Sequence, residues 1–238
     1  MRLDDHVVAT TMRTPGHDFE LAVGLCHGDG LLGGATVVTC RYCGTGSAVE
    51  SGFNVVSVDT SGLAPTPVAR VSATPSACGL CGSASIDELR ARIAPLPPGP
   101  PWPVSLLASV PGRVRPQQDL FAVTGAVHAA AAFARDGSVR LVREDIGRHN
   151  AVDKVVGRLL LDEQLPAHDL GLFVSGRAGF DIVQKAWAAG FGAVVAVSAP
   201  SALAVDAARE AGITLAGFVR SAGDATPTCN VYSGLGLQ

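Results

Sequence analysis

Residues 171–198 read GLFVSGRAGFDIVQKAWAAGFGAVVAVS, and their alternation decides the fold class. The stretches 171–175 and 193–198 are short, uninterrupted apolar runs, as expected of strands buried on both faces. Between them, residues 180–189 place apolar side chains at helical spacing and stop at Gly190, a residue suited to closing a helix. Working outward, 202–211 reads as a helix ended by Gly212, and 215–219 as a further strand. Upstream, apolar residues at 151, 152, 155, 156, 159 and 160 give 150–161 a helical period. Residues 139–144 alternate as a strand, and the Ala-rich segment 121–134 reads as a helix. Strands separated by helices of about ten residues predict a mainly parallel sheet covered on both faces, an α/β fold.

A Pro-rich stretch, residues 95–103, is too stiff for a helix or a central strand and separates two halves of the chain. The first half, residues 1–100, reads as a smaller α+β domain. Short strands are expected near 6–11, 35–41, 54–58 and 68–73, with a helix over 19–26 capped by Asp18. The second half, 104–238, carries the α/β pattern. In such sheets ligands sit outside the carboxyl ends of the strands. Those ends carry Glu144 to Asn150, Ser175-Gly176-Arg177, Ser198 to Ser201, and Arg220. Strand-to-helix loops are polar for capping reasons alone. Arg148, Arg177 and Arg220 on one expected edge point further, to a phosphate or pyrophosphate, which arginine binds bidentately. The helix starts near Asn150 and Phe180 add backbone N–H groups to such a site.

Net charge is −3, so there is no global basic field for nucleic acid, and any anion must be held locally. No secretory leader is evident at the start, and no run of 18 apolar residues suggests a membrane span. A cytoplasmic protein is expected, and in that reducing compartment the six cysteines read as thiols or metal ligands rather than disulfides.

Cys78-Gly79-Leu80-Cys81 precedes the helix-compatible stretch Asp87-Glu88-Leu89-Arg90. A thiol just upstream of a helix start feels the partial positive charge of unpaired N–H groups, which favours thiolate. Cys40 and Cys43 form a second Cys-x-x-Cys pair, so a four-cysteine zinc site is one reading, although residues 44–77 form a long spacer for it. Cys40 is equally a small buried hydrophobe ending a strand; Cys26 and Cys229 read as structural. A zinc deaminase needs His-x-Glu, but His128-Ala129-Ala130 lacks the Glu that moves the proton. A dinucleotide-binding Gly-x-Gly-x-x-Gly after a strand is also missing; Ser175-Gly176-Arg177-Ala178-Gly179 is a weak echo of it.

Six strings resemble one family in its order along nearly the whole chain. They are Thr14 to Ala22 (TPGHDFELA), Cys78 to Ser85 (CGLCGSAS), Arg143 to Lys154 (REDIGRHNAVDK), Ser175 to Phe180 (SGRAGF), Val197 to Ser201 (VSAPS), and Gly217 to Arg220 (GFVR) followed by Asn230-Val231-Tyr232. These resemble the formate dehydrogenase accessory sulfurtransferase family (FdhD/NarQ). The resemblance implies a sulfur carrier that takes sulfur from a cysteine desulfurase and passes it to molybdenum bis-guanine dinucleotide before that cofactor enters formate dehydrogenase. It implies a homodimer and a C-terminal three-layer α/β/α domain like cytidine deaminase, in which His128 is a relic. It places the persulfide on Cys78 and the cofactor-binding segment on Phe218, Val219, Arg220, Ser221, Ala222 and Gly223. The chain departs from the family pattern in lacking a longer N-terminus and in the long run 221–229.

These readings combine into one expectation. Cys78 carries the sulfur, with Cys81 beside it to release the sulfur or tune its pKa. Arg148, Arg177 and Arg220 neutralise pyrophosphate, and His149 donates a proton or caps its helix. The molybdenum cofactor is a bound substrate, with no permanently held cofactor, no resident metal, and no nucleic-acid or membrane partner. The rival expectation is a zinc-stabilised nucleotide-binding module without sulfur chemistry.

Overall fold

The computed structural model describes residues 1–42, 47–67, 82–220 and 227–234. Among them are two sheets and seven α-helices, a mixed α/β arrangement. Strands β1 (Arg2–Leu3), β2 (His6–Val7), β3 (Thr39–Arg41) and β4 (Ser57–Asp59) form the smaller sheet, in the order β2-β1-β4-β3. Each expected N-terminal strand among the described residues is thus present but short; the one expected at 68–73 lies outside them. Helix α1 (Asp18–Gly28) supplies Ala22, Val23 and Cys26 to a small core with Leu3, Val56 and Val58. Its cap differs from expectation. His17, in the left-handed conformation, is the capping residue and bonds no helix N–H through its side chain. Asp18 instead forms a two-pronged ion pair with Arg13, at 2.9 and 2.8 Å, a stronger use of a carboxylate than one capping bond.

The larger sheet contains β5 (His128–Ala134), β6 (Val139–Asp145), β7 (Leu170–Val174), β8 (Ala193–Ala196), β9 (Thr214–Arg220) and β10 (Thr228–Ser233), in the order β10-β9-β8-β7-β5-β6. Helices α5 (Arg148–Leu161), α6 (Phe180–Ala188) and α7 (Ala202–Ala211) fill the core on one face. Helix α3 (Val104–Val114) covers the other, against Phe133, Phe173 and Val195. Helix α2 (Gly82–Arg92) sends Leu89 into the first of these cores, so the chain ahead of the Pro-rich stretch also packs on the larger sheet.

Two expectations are overturned here. Residues 121–134 are not one helix: α4 (Asp119–Thr124) ends at Gly125 in the left-handed conformation, and β5 follows. Alanine favours a helix by less than about 1 kcal/mol per residue over most others. Here it is outweighed by burial on both faces, since Ala130 and Ala132 enter one core and Ala131 and Phe133 the other. The sheet is also mixed rather than mainly parallel. Strands β7, β8 and β9 run parallel, whereas β5 is antiparallel to both its neighbours and β10 is antiparallel to β9. The reversal of β5 follows from its hairpin link to β6, whose turn is set by the Asp136 carboxylate accepting from the Ser138 N–H at 2.8 Å. No helix among the described residues is long and apolar enough to cross a membrane.

The two halves meet where α1 crosses α5. At Gly24 a Cβ would stand 1.8 Å from the Asp153 carbonyl oxygen, and at Gly157 one would stand 1.8 Å from that of Glu20. The backbones touch because neither residue has a side chain. In an exposed helix Gly→Ala stabilises by about 1 kcal/mol. At this crossing the sign reverses: Gly157→Ala should cost about 2 kcal/mol or more by overpacking. Urea denaturation reads the difference directly, and a raised midpoint would contradict the close crossing.

Candidate functional site

The segment 143–154, one of the strings that carry the family resemblance, divides its residues between two tasks. Several of them fasten the N-terminal segment to the sheet. Arg143 donates to both Glu20 oxygens, at 2.5 and 2.9 Å. Glu144 accepts from the Leu120 and Phe121 N–H groups at 2.8 Å each and so caps α4. Asp145 and Lys154 form a fully buried pair at 2.7 Å, and Lys154 also donates to the Thr14 carbonyl at 2.9 Å. Asn150 bridges the Asp145 carboxylate and the Met12 carbonyl. Asp153 meets Lys185 at 2.7 Å, and Lys185 reaches Asp29 at 3.0 Å. Burial alone would lower the Lys185 pKa, but Asp153 and Asp29 outweigh it and hold the ammonium charged.

Of the four residues between, Ile146 is exposed, and Gly147, Arg148 and His149 are half-buried at the start of α5. The carboxyl ends of β6, β7, β8 and β9 share this edge, joined by the amino end of the reversed strand β5. That reversal brings His128 into the rim. A Cβ at Gly176 would lie 3.5 Å from Arg148 Cδ and 3.5 Å from His128 Nδ1, so these three residues form one cluster. His128 Nδ1 lies 3.3 Å from Ser175 Oγ, which accepts from the Ala129 N–H at 2.9 Å. Burial, and then the nearby Arg148 and His149, lower the His128 pKa and favour a neutral ring. His149 Nε2 faces Asp181 at 3.5 Å, and that contact holds the Asp181 carboxyl below its ordinary pKa.

The expected cations are where the sequence placed them. Arg148 buries its Nε without a partner, and Arg177 is exposed with no hydrogen bond or ion pair among the described residues. Arg220 ends β9 on the same edge and donates to the Val197 carbonyl. Phe218 is in the left-handed conformation with its ring partly exposed, while Val219 is buried and structural. Ser221, Ala222 and Gly223 lie outside the described residues, as do Cys78, Cys81 and Cys43. Of the rival zinc ligands only Cys40 is described; it packs in the small core, and burial pushes its thiol up to about 12. Among the described residues no group of three or more His, Cys, Asp or Glu is placed to hold a metal.

Sequence reading gave His128 no role at the site and missed Ser175 as its partner and Asp181 as that of His149. It also missed a cleft of about 690 Å³ beside His128, lined by Gln118, Phe121, Phe173 and Val197 among others. A His-Ala-Ala read as helical gives no hint that a strand start presents it to a rim.

Comparison with known proteins agrees with the motif pattern, since residues 1–236 match the FdhD/NarQ family. The chain belongs to the FdhD/NarQ family. A relative from Nocardia farcinica, named sulfur carrier protein FdhD, is 47% identical over 238 residues, covering 98% of this chain and 83% of that one. One of the same name from Streptomyces avermitilis is 46% identical over 244 residues, covering 98% and 84%. A solved structure from Desulfotalea psychrophila, described as a formate dehydrogenase accessory protein, is similar with a TM-score of 0.72. It is 23% identical and covers 99% of this chain and 85% of that one, which supports the fold.

The rim cluster has a direct electrostatic consequence. Arg148→Ala removes a cation beside His128 and opens the ring to water, so the His128 pKa should rise toward its ordinary value. An NMR titration of the His128 ring protons measures this; an unchanged midpoint would place Arg148 away from the ring.

Proposed function

We propose that this chain is a sulfur carrier serving the maturation of formate dehydrogenase. It takes sulfur from a cysteine desulfurase as a persulfide on Cys78 and delivers it to molybdenum bis-guanine dinucleotide. The names of relatives nearly half identical over almost the whole chain support the carrier role. The observation that carries the substrate assignment is the pair of cations Arg148 and Arg177, which have no partner among the described residues on a rim with two helix starts. The other cations of the interlock, Arg143, Lys154 and Lys185, are each committed to a carboxylate. Uncommitted arginines beside backbone N–H groups suit pyrophosphate.

Sulfur loading needs a thiolate. Helix α2 begins at Gly82, directly after Cys81 in the sequence, and its partial positive charge favours the ionised form of a nearby thiol. The Cys78 thiolate attacks the outer sulfur of the desulfurase persulfide; a new S–S bond forms, the old one breaks, and the desulfurase thiolate leaves. Cys81 is assigned to tuning or releasing that sulfur. Arg148, Arg177, Arg220 and the segment from Phe218 to Gly223 hold the dinucleotide arms, with His149 beside them. The assignment extends to a cytoplasmic homodimer built of an N-terminal domain, 1–100, and a cytidine deaminase-like domain, 104–238.

The test is intact mass after incubation with a cysteine desulfurase and cysteine, for wild type and Cys78→Ala, before and after cyanide. The expected result is one added sulfur on wild type, removed by cyanide and missing from the variant. An unloaded wild type that instead carries stoichiometric zinc would overturn the carrier reading in favour of the zinc-stabilised nucleotide module.

A further inference from the structure

Asp181 is a carboxylate on a rim that otherwise gathers cations. The other acids of this edge are committed elsewhere: Glu144 caps α4, and Asp145 is buried against Lys154. Asp181 lies in the first turn of α6, about half exposed, and its one polar contact among the described residues is His149 Nε2 at 3.5 Å. A negative charge on this rim repels the anion that Arg148 and Arg177 suit. What the carboxylate does there is hold a ring.

His149 follows Arg148 in the first turn of α5. Its Nε2 is buried, and Asp181 is the acceptor within reach. A carboxylate on one ring nitrogen fixes a proton there and leaves Nδ1 as the nitrogen that gains or loses the second proton. Charges face this ring from three elements. On α5, Arg148 and the helix start disfavour an imidazolium, whereas Asp153 favours it. On β5, His128 adds repulsion only when it is itself charged. On α6, Asp181 favours the charged ring, while the Lys185 ammonium is bound by Asp153 and Asp29. An anion arriving at Arg148 and Arg177 adds negative charge beside the ring and so favours its protonated form.

We propose that His149 and Asp181 make anion binding at the rim proton-linked: the ring takes up a solvent proton at Nδ1 when a phosphate-bearing ligand binds, and loss of that proton loosens the ligand. Asp181 is the positioning residue, and His149 is the group that carries the proton. This rests on the anion-binding rim of the function proposed above and adds regulation to it. The linkage is reciprocal, since a proton that strengthens ligand binding is held more tightly in the complex by the same factor. The ligand is therefore held more firmly at low pH and released as pH rises through the range in which histidine titrates, between about pH 5 and 8. The arginines stay charged throughout that range, so they contribute affinity without this pH dependence.

Calorimetric titration of the full chain with inorganic pyrophosphate, repeated near neutral pH in buffers of different ionisation enthalpy, counts the protons exchanged on binding. Pyrophosphate brings proton changes of its own, but these are common to every variant, so the difference from wild type isolates the ring. Wild type should take up protons relative to His149→Gln. Its affinity should also fall more steeply as pH rises, by up to about tenfold per pH unit for one linked proton. Asp181→Asn, at an exposed position, is the second variant. It should bind pyrophosphate more tightly than wild type at alkaline pH, where a repelling charge is gone, and lose part of the proton uptake near neutrality. A carboxylate that serves only the start of α6 would instead lower the thermal midpoint of Asp181→Asn and leave the wild-type pH profile in place. The proposal is overturned by that result, or by a His149→Gln protein that exchanges as many protons as wild type. Wild type that binds no pyrophosphate at any pH removes the anion-binding rim itself; binding without protons linked to His149 removes this inference alone. Sulfur loading of Cys78, read by mass, stands or falls separately from both.

Discussion

The buried ion pair between Asp145 and Lys154 is the contact on which the rest of the arrangement depends. Asp145 ends strand β6, Lys154 lies in α5, and both bond to Thr14 on the approach to α1. Two charges taken from water are stable only when their remaining hydrogen-bonding capacity is met. Asp145 accepts from Lys154, the Thr14 N–H, the Gly147 N–H and Asn150, while Lys154 also reaches the Thr14 and Glu144 carbonyls. Removing one partner of such a pair strands the other charge, at a cost of about 3–5 kcal/mol. The loop Ile146 to His149 hangs between these anchors, so its half-buried Arg148 is positioned by residues that water does not reach.

Seen this way, the cations fall into two populations. Arg13, Arg143, Lys154 and Lys185 are bound to carboxylates at 2.5–3.0 Å; Arg13 braces the N-terminal segment on α1, and the other three join that segment, α1 and α6 to the larger sheet and its helix α5. Arg148 and Arg177 have no carboxylate among the described residues and stand at the rim. An anion bound at the rim would partner them, and the stapled pairs with the glycine crossing of α1 and α5 hold the scaffold that presents them.

Much of this was legible in the sequence, for a topological reason. Polar loops after buried strands identify a shared edge whether the sheet is parallel or mixed, so Arg148, Arg177 and Arg220 were assigned to it correctly. The helices 150–161, 180–189 and 202–211 follow from amphipathic period and terminal glycines, and stand within two residues of expectation. What failed was local composition. The alanines of β5 have helical propensity, and only burial on two faces makes them a strand. Helix α3 went unread because Pro111 interrupts its sequence, and β10 because a short edge strand alternates weakly. The cap of α4 was invisible for another reason: its first N–H groups are met by Glu144, far along the chain. No local motif records such a substitution of roles.

The central claim is that segment 143–154 divides its labour between holding the scaffold and holding an anion. A thermal melt with and without GDP, on wild type, Lys154→Met and Arg148→Ala, tests it in one measurement, because a ligand that binds the folded state raises its midpoint. The account predicts that Lys154→Met melts well below wild type without ligand. Arg148→Ala should melt close to wild type yet lose most of the rise that GDP produces. An Arg148→Ala protein that keeps the full GDP shift, or a Lys154→Met protein as stable as wild type, would contradict it.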